Sequence, residues 1–386
     1  MNGPFEFATA TRIVFGAGRV REIGALASGL GTRALVVTGR DQARAGPLLG
    51  SLKGASIESC LLRVAGEPGL DTVQNGVARA REEGCDLVVA VGGGSAIDTG
   101  KAVAAMLTND GELLDFLEVI GGGRSLERPP APFIAIPTTA GTGSEVTRNA
   151  VLSSAEHRVK VSLRAPLMLP RVALVDPELT YELPPAITAS TGLDALTQLI
   201  EPYVCSRTNP LTDALCLEGL GRAAKALPVA FANGLDLGAR HDMCVASLFG
   251  GLALANAGLG AVHGFAGPIG GMFPAPHGAI CAALLPYVME VNLRALRQRQ
   301  PGAESLGRYE TVARLLTGSP AAGPDQGVAW VARLTRELKI PPLGVYGIGS
   351  DAVDDLVEKS AKASSMKANP IVLTRDELLE ILRRAL

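Results

Sequence analysis

The chain is expected to fold as two domains, an α/β domain on a mainly parallel sheet at residues 1–185 and an all-helical domain at residues 186–386. Three observations predict this. Short Val- and Ile-rich runs alternate with amphipathic segments in the first half; long helical patterns without comparable strand-like runs fill the second. At 386 residues the chain exceeds the roughly 250–300 that one core organises.

Taken in order, RALVVT (33–38), SIESCLLRV (56–64), DLVVAVG (86–92), FIAIPTT (133–139) and VALVDP (172–177) have the length and β-branched content of strands buried on both faces. TVQNGVARAREEG (72–84) and AIDTGKAVAAML (96–107) between them have helical period. The pattern changes near Leu183, and the prolines of ELPPAI mark the boundary. Helices follow in PLTDALCLEGLGRAAKALPVAFA (210–232) and GVAWVARLTRELK (327–339), with TGSPAAGPDQG (317–327) a surface loop. The final segment opens with Thr374 and, three residues on, Glu377, the spacing of a capping box.

Composition excludes several classes of function. A net charge of −2 with scattered Lys and Arg gives no basic track for nucleic acid. The N-terminus lacks a basic stretch leading into an apolar one, so a cytoplasmic location is expected. MCVASLFGGLALANAGLGAV (243–262) is uncharged and long enough to span a bilayer, yet it runs into Gly-, Pro- and His-rich sequence without basic or aromatic flanks. It reads as a buried central helix. The six cysteines show no C-x-x-C spacing and are expected to be reduced, mostly buried thiols. With 47% hydrophobic and 19% charged residues, much of the chain must sit in large cores or subunit contacts, and a homodimer or higher homo-oligomer is expected.

Two glycine-rich loops follow strands. VGGGSAIDTGK (91–101) opens a helix, where unpaired N–H groups and the positive helix end favour a phosphate. It matches neither G-x-G-x-x-G nor a Walker loop, so a plain strand-to-helix turn is an equal reading on this loop alone. PTTAGTGSEVTRN (137–149) adds hydroxyls after a second strand, and two such loops point to the carboxyl edge of a sheet, where α/β proteins bind ligands.

GGGSAIDTGKA, PTTAGTGSEVT, TGLDALTQLIEPYV and the histidine segment AVHGFAGPIGGMFPAPHG together resemble the iron-containing, or group III, alcohol dehydrogenases, of dehydroquinate-synthase-like fold. The resemblance spans nearly the whole chain. It implies a dinucleotide-binding α/β domain, a helical metal and substrate domain, and interconversion of an alcohol with an aldehyde or ketone by metal-assisted hydride transfer. By the same resemblance Gly93, Gly94, Ser95 and Asp98 hold the pyrophosphate and adjoining ribose; Thr138, Thr139 and Thr142 line the cofactor; Asn149, Val151 and Lys160 lie toward the nicotinamide and Leu179 near the adenine. For Lys160 the residues alone favour a solvated charge.

NAD-preferring relatives carry an acidic residue after the strand ALVVT; this chain has Gly39 and Arg40, with Arg44 nearby. Room and a guanidinium suit a 2′-phosphate, so NADP(H) is expected over NAD(H), with Asp41 a potential neutraliser of Arg40. The resemblance places the divalent ion, Fe2+ or Zn2+ with Ni2+ or Mn2+ as further options, on Asp194, Gln198, His263 and His277, the catalytic set being Asp194, His263 and His277. Asp194 and Gln198 are four apart, on one helix face; the histidines must arrive from consecutive elements. Relatives have histidine where this chain has Gln198, a neutral and poorer donor. They also place a histidine at the position of Gly267, and its loss implies a larger, less polar pocket. His157 and His241 read as surface residues.

Three rivals stand beside this reading. One is a metal-independent reductase like the maleylacetate reductases, with Arg148 or Arg164 holding a substrate carboxylate. Another is a dehydroquinate-synthase-like lyase, disfavoured by the uncharged run from 243 to 289. The third is a cofactor-binding relative of little activity.

Overall fold

The apolar runs of the first half pair as a six-stranded, wholly parallel sheet in the order β1-β8-β5-β4-β2-β3. In chain order the strands are β1 (Arg12–Phe15), β2 (Arg33–Thr38), β3 (Glu58–Arg63), β4 (Leu87–Gly92), β5 (Phe133–Pro137) and β8 (Val172–Val175); β6 (Asn149–Ser154) and β7 (Val159–Arg164) form a separate antiparallel hairpin. The computed structural model describes residues 4–386, the side chains of residues 43 and 44 excepted.

Alternation along each strand splits the apolar side chains between two faces. Leu35, Val37, Val88, Ala90, Phe133 and Ala135 join one core with residues of α3 (Leu70–Glu82) and α4 (Gly94–Thr108). Ala34, Val36, Val89, Val91, Ile134 and Ile136 join the other with residues of α1 (Ile23–Ala27) and α2 (Gly46–Gly54). Both faces of the central strands are therefore covered, which is why they read as unbroken apolar runs, whereas β3, expected to be buried on both faces, lies at the sheet edge and has no buried residue. The short α5 (Leu113–Phe116) packs into the first core.

Beyond Thr180 the described residues contain no further strand. The helices are α6 (Pro185–Val204), α7 (Pro210–Ala232), α8 (Leu237–Asn256), α9 (Ala261–Met272), α10 (His277–Arg299), α11 (Glu304–Thr317), α12 (Pro324–Glu337), α13 (Val353–Lys362) and α14 (Arg375–Ala385). Helix α6 packs against α7, α8 and α10. Asn209 caps α7 by accepting from the N–H groups of Leu211 and Thr212, both at 3.1 Å. The capping box at Thr374 is present: Glu377 N–H donates to Thr374 Oγ1 at 3.2 Å, and Thr374 N–H to Glu377 Oε2 at 2.7 Å. The loop expected at 317–327 is shorter, because Pro324 opens α12.

The uncharged run 243–262 is not one helix: it crosses the break between α8 and α9, where the chain bends by 95°. Helix α10 has the length and hydropathy of a span, but its most apolar stretch is 83% buried within the protein, the setting of a core helix. The chain divides into two interleaved units. Thr9–Thr139 with Gly143–Thr180 forms the α/β unit; residues 4–8, Ala140–Thr142 and Tyr181–Leu386 form the helical one.

The hairpin β6–β7 was not anticipated. Its signal is the alternation in NAVLSS, where Ala150, Leu152 and Ser154 are buried and the others partly exposed, followed after AEHR by VKVSLR. Each run is weak by itself; packing against α4 supplies the buried face.

Candidate metal centre and dinucleotide site

In the helical unit, α6, α9 and α10 bring four donors together. Asp194, His263, His277 and Cys281 each offer one ligand atom, all within 4.8 Å of one another, the only such group of acidic, imidazole and thiol donors among the described residues. Nε2 of His263 lies 3.6 Å and Nε2 of His277 3.7 Å from Asp194 Oδ1. The imidazoles sit 5.4 Å apart at 52°. Both distances exceed hydrogen-bond length, and neither oxygen of Asp194 receives a hydrogen bond although both are fully buried. Gln198, one turn along α6, is likewise buried, and its Oε1 has no donor. Buried, unpaired oxygens are costly, and a cation beside them offsets that cost. The donors thus fit a divalent ion.

Glu201 completes the arrangement, and it was missed in the sequence. Its Oε2 lies 2.7 Å from His263 Nδ1, and its Oε1 accepts from Val262 N–H at 2.7 Å. A carboxylate on Nδ1 fixes the ring so that Nε2 faces Asp194, the usual support of a metal-bound imidazole. Glu201 lies seven residues after Asp194, two turns along the same face of α6, a spacing that shows the shared face but not the imidazole it meets.

Burial opposes ionisation of Asp194, but the imidazoles of His277 and His263 outweigh it and hold the carboxyl below its ordinary range. Burial also opposes a charged His263, yet Cys281, Asp194 and Glu201 raise it well above the ordinary histidine value. Burial pushes the Cys281 thiol up to about 12. At Gly267, one turn after His263, an added Cβ would meet nothing within 4 Å. His157 and His241 are exposed, as expected.

In the α/β unit, a cavity of about 230 Å³ is lined by Gly39, Arg40, Asp41, Ala45 and the strand-end residues Val91, Gly92, Gly93 and Thr138. Gly92 must be glycine: a Cβ there would lie 2.6 Å from that of Ala96 and 3.4 Å from Gly39 N. Gly93, Gly94 and Ser95 form the start of α4, and no side chain caps it. Arg40 Nε and Nη2 both reach Ala65 O, at 3.4 and 3.3 Å. The Arg44 side chain lies outside the described residues.

Several other candidates serve a buried polar network instead of standing open. Asp98 accepts from Ser144 Oγ and, at 3.0 Å, from Val151 N–H. Lys101, fully buried and unforeseen, donates to Ser144 O (2.8 Å), Thr147 Oγ1 (2.9 Å) and Asn149 O (2.8 Å), and lies 3.8 Å from Asp98 Oδ1. Helix α4 thereby fastens the second glycine-rich loop. Lys160 pairs with Glu67 at 2.8 Å and is only 7% exposed, a correction to the solvated charge that its local sequence favours. Thr138 N–H donates to Gly92 O, Thr139 lies beside Gly93, and Leu179 packs on the core of α1 and α2. Thr142 belongs to the short segment grouped with the helical unit.

Glu145, in the same loop, is buried, and desolvation raises it from 4.5 to about 7. Between those values the folded chain holds a proton that the unfolded chain has lost, so this stabilisation is full below pH 4.5 and is lost as pH rises through 7. Glu145→Gln keeps the neutral form. It is expected to match the wild type at pH 5 and to be more stable by about 1–3 kcal/mol at pH 8, as measured by urea unfolding.

A phosphate-ready α/β unit joined in one chain to a carboxylate and imidazole cluster defines, as a class, a dinucleotide-dependent oxidoreductase with a metal centre. Residues 10–177 match the family profile "Iron-containing alcohol dehydrogenase", and 188–386 that of the "Fe-containing alcohol dehydrogenase family, C-terminal". Choline dehydrogenase of Bacillus subtilis (strain 168) is 35% identical over 94% of this chain and 90% of its own. NAD-dependent methanol dehydrogenase of Bacillus methanolicus is 34% identical over 97% of each. The crystal structure of a 1,3-propanediol oxidoreductase superposes with a TM-score of 0.92 at 33% identity, covering 100% of both chains. The chain belongs to the iron-containing alcohol dehydrogenase family. It is an NAD(P)-dependent oxidoreductase interconverting an alcohol and an aldehyde or ketone.

Proposed function

We propose that the enzyme works as an NADPH-dependent reductase of an aldehyde or ketone, cytoplasmic and homodimeric or larger, with a divalent ion held by Asp194, His263, His277 and Gln198. The observation that carries the metal assignment is Asp194, whose two buried oxygens lack hydrogen bonds beside two imidazoles. The ion supplies Lewis-acid polarisation of the carbonyl oxygen. Glu201 holds His263 in the tautomer that leaves Nε2 free. The N–H groups at Gly93, Gly94 and Ser95 bind the pyrophosphate, Asp98 the adjoining ribose, and Thr138, Thr139, Thr142, Asn149, Val151, Lys160 and Leu179 line the dinucleotide. With no imidazole at Gly267, proton delivery falls to water or the ribose hydroxyls, and the pocket takes a bulkier carbonyl compound. Arg164 pairs with Glu118 at 3.3 Å, which counts against its holding a substrate carboxylate in a metal-independent reductase.

The test is a carbonyl panel run with both dinucleotides on protein reconstituted with Fe2+, Zn2+, Ni2+ or Mn2+, before and after chelation. Undiminished turnover after complete metal removal would reject the metal-assisted reading. The choice of dinucleotide rests on Arg40, whose guanidinium reaches the neutral carbonyl of Ala65 at the rim of the cavity. A charge-assisted phosphate contact contributes about 1.5–3 kcal/mol, so Arg40→Ala should lower kcat/KM for NADPH roughly 10–100-fold. The value for NADH should change less than about twofold; an equal loss with both would remove Arg40 from the phosphate site.

A further inference from the structure

We infer that Cys281, bound as a thiolate, and not Gln198, is the fourth protein ligand of the metal ion, replacing the imidazole that relatives have at the position of Gln198. The inference rests on the reading of the Asp194 cluster as a metal centre. Cys281 follows His277 by one turn of α10, so both lie on one helix face. Its Sγ is 3.9 Å from His263 Nε2 and 3.7 Å from His277 Nε2, the same two nitrogens that face Asp194 Oδ1 at 3.6 and 3.7 Å. A tetrahedral ion with bonds of about 2.0–2.3 Å spaces its donors by roughly 3.3–3.8 Å. With about 2.0–2.1 Å to nitrogen and oxygen and about 2.3 Å to sulfur, the four measured edges are longer than the ideal ones by about 0.1–0.4 Å, a small contraction away from coordination.

The competing explanation is a small apolar packer, the commonest use of a buried cysteine. A thiol hydrogen-bonded to the imidazoles accounts for the sulfur facing both ring nitrogens, but it leaves Asp194 beside it with neither oxygen hydrogen-bonded. On metal entry the S–H bond breaks, the sulfur keeps the electron pair and forms the metal–sulfur bond, and the proton leaves to solvent; no oxidant or reductant is needed. Asp194 and the thiolate then balance the two positive charges. A soft sulfur donor also favours zinc over ferrous iron, so the metal preference of this chain departs from its family's name.

X-ray absorption on the full-length, zinc-reconstituted protein tests this, because it reads the ligand shell without any assay of turnover. The expected spectrum has a zinc–sulfur distance of about 2.3 Å beside nitrogen and oxygen at about 2.0–2.1 Å. In Cys281→Ser the sulfur shell should vanish while zinc remains bound with at least about tenfold weaker affinity, and Asp194→Asn should lose the zinc. A shell of nitrogen and oxygen alone in the wild type, with zinc still dependent on Asp194, would overturn the thiolate and leave the metal centre standing. A sulfur shell that persists in Cys281→Ser would also overturn it, since the sulfur then comes from another cysteine. Failure of the wild type to bind zinc would overturn both readings. The wild-type spectrum is decisive even if a variant folds poorly.

Discussion

Asp194→Asn is expected to lower kcat/KM for carbonyl reduction by at least about 10³-fold, equivalent to roughly 4 kcal/mol of transition-state stabilisation. Asparagine keeps the shape of the side chain but removes the negative charge that compensates the ion and orders the two imidazoles around it. The variant should carry less than about a tenth of the wild-type metal content by mass spectrometry after identical reconstitution. Its dinucleotide affinity should be unchanged, because Arg40 and the start of α4 belong to the other unit. Added Fe2+ or Zn2+ should restore chelated wild type and leave the variant inactive. Near-normal turnover in Asp194→Asn would sink the metal-assisted mechanism.

Lys101→Met should show the largest loss of stability. The ammonium is 1% exposed, donates to three oxygens of the segment from Ser144 to Asn149, and lies near Asp98. Burial lowers it to about 8, with Asp98 and Glu145 pulling the other way. Methionine fills similar volume yet leaves two carbonyls without this donor and Asp98 without its cation. Breaking a buried pair in this way costs about 3–5 kcal/mol, or roughly 6–20 °C in Tm of the α/β unit. Scanning calorimetry gives the shift, and a change below about 2 °C would mean that the network carries little of the fold. Dinucleotide binding should weaken as well, since the same lysine fastens the loop bearing Ser144, which holds Asp98.

The parallel sheet was legible because its signal is local. Ala34 through Val37 and Leu87 through Val91 are apolar at every position, and only a strand covered on both faces requires that. The capping box at Thr374 was equally plain, being set by two residues three apart. Asp194, His263 and His277 were recognised through the resemblance and do converge. The local stretch HRVKVSLR favours a solvated charge at Lys160 because its partner Glu67 is 93 residues away. Lys101 was passed over for a similar reason: inside AIDTGKAVAAML it looks like one polar residue on a helix, and its three acceptors lie 43 to 48 residues further on.

Hydrophobic periodicity, helix caps and strand-end glycines depend on residues within a turn or two of each other, so the order of α/β and helical units was already fixed in the linear chain. Donor geometry has no such local signature. Cys281 could be placed against His263, and Glu201 against its Nδ1, only by the packing of α6, α9 and α10 across 18 and 62 residues of sequence. That packing is governed by the shape and burial of whole helix faces, which is why the chemistry of this centre emerged only once the chain was folded.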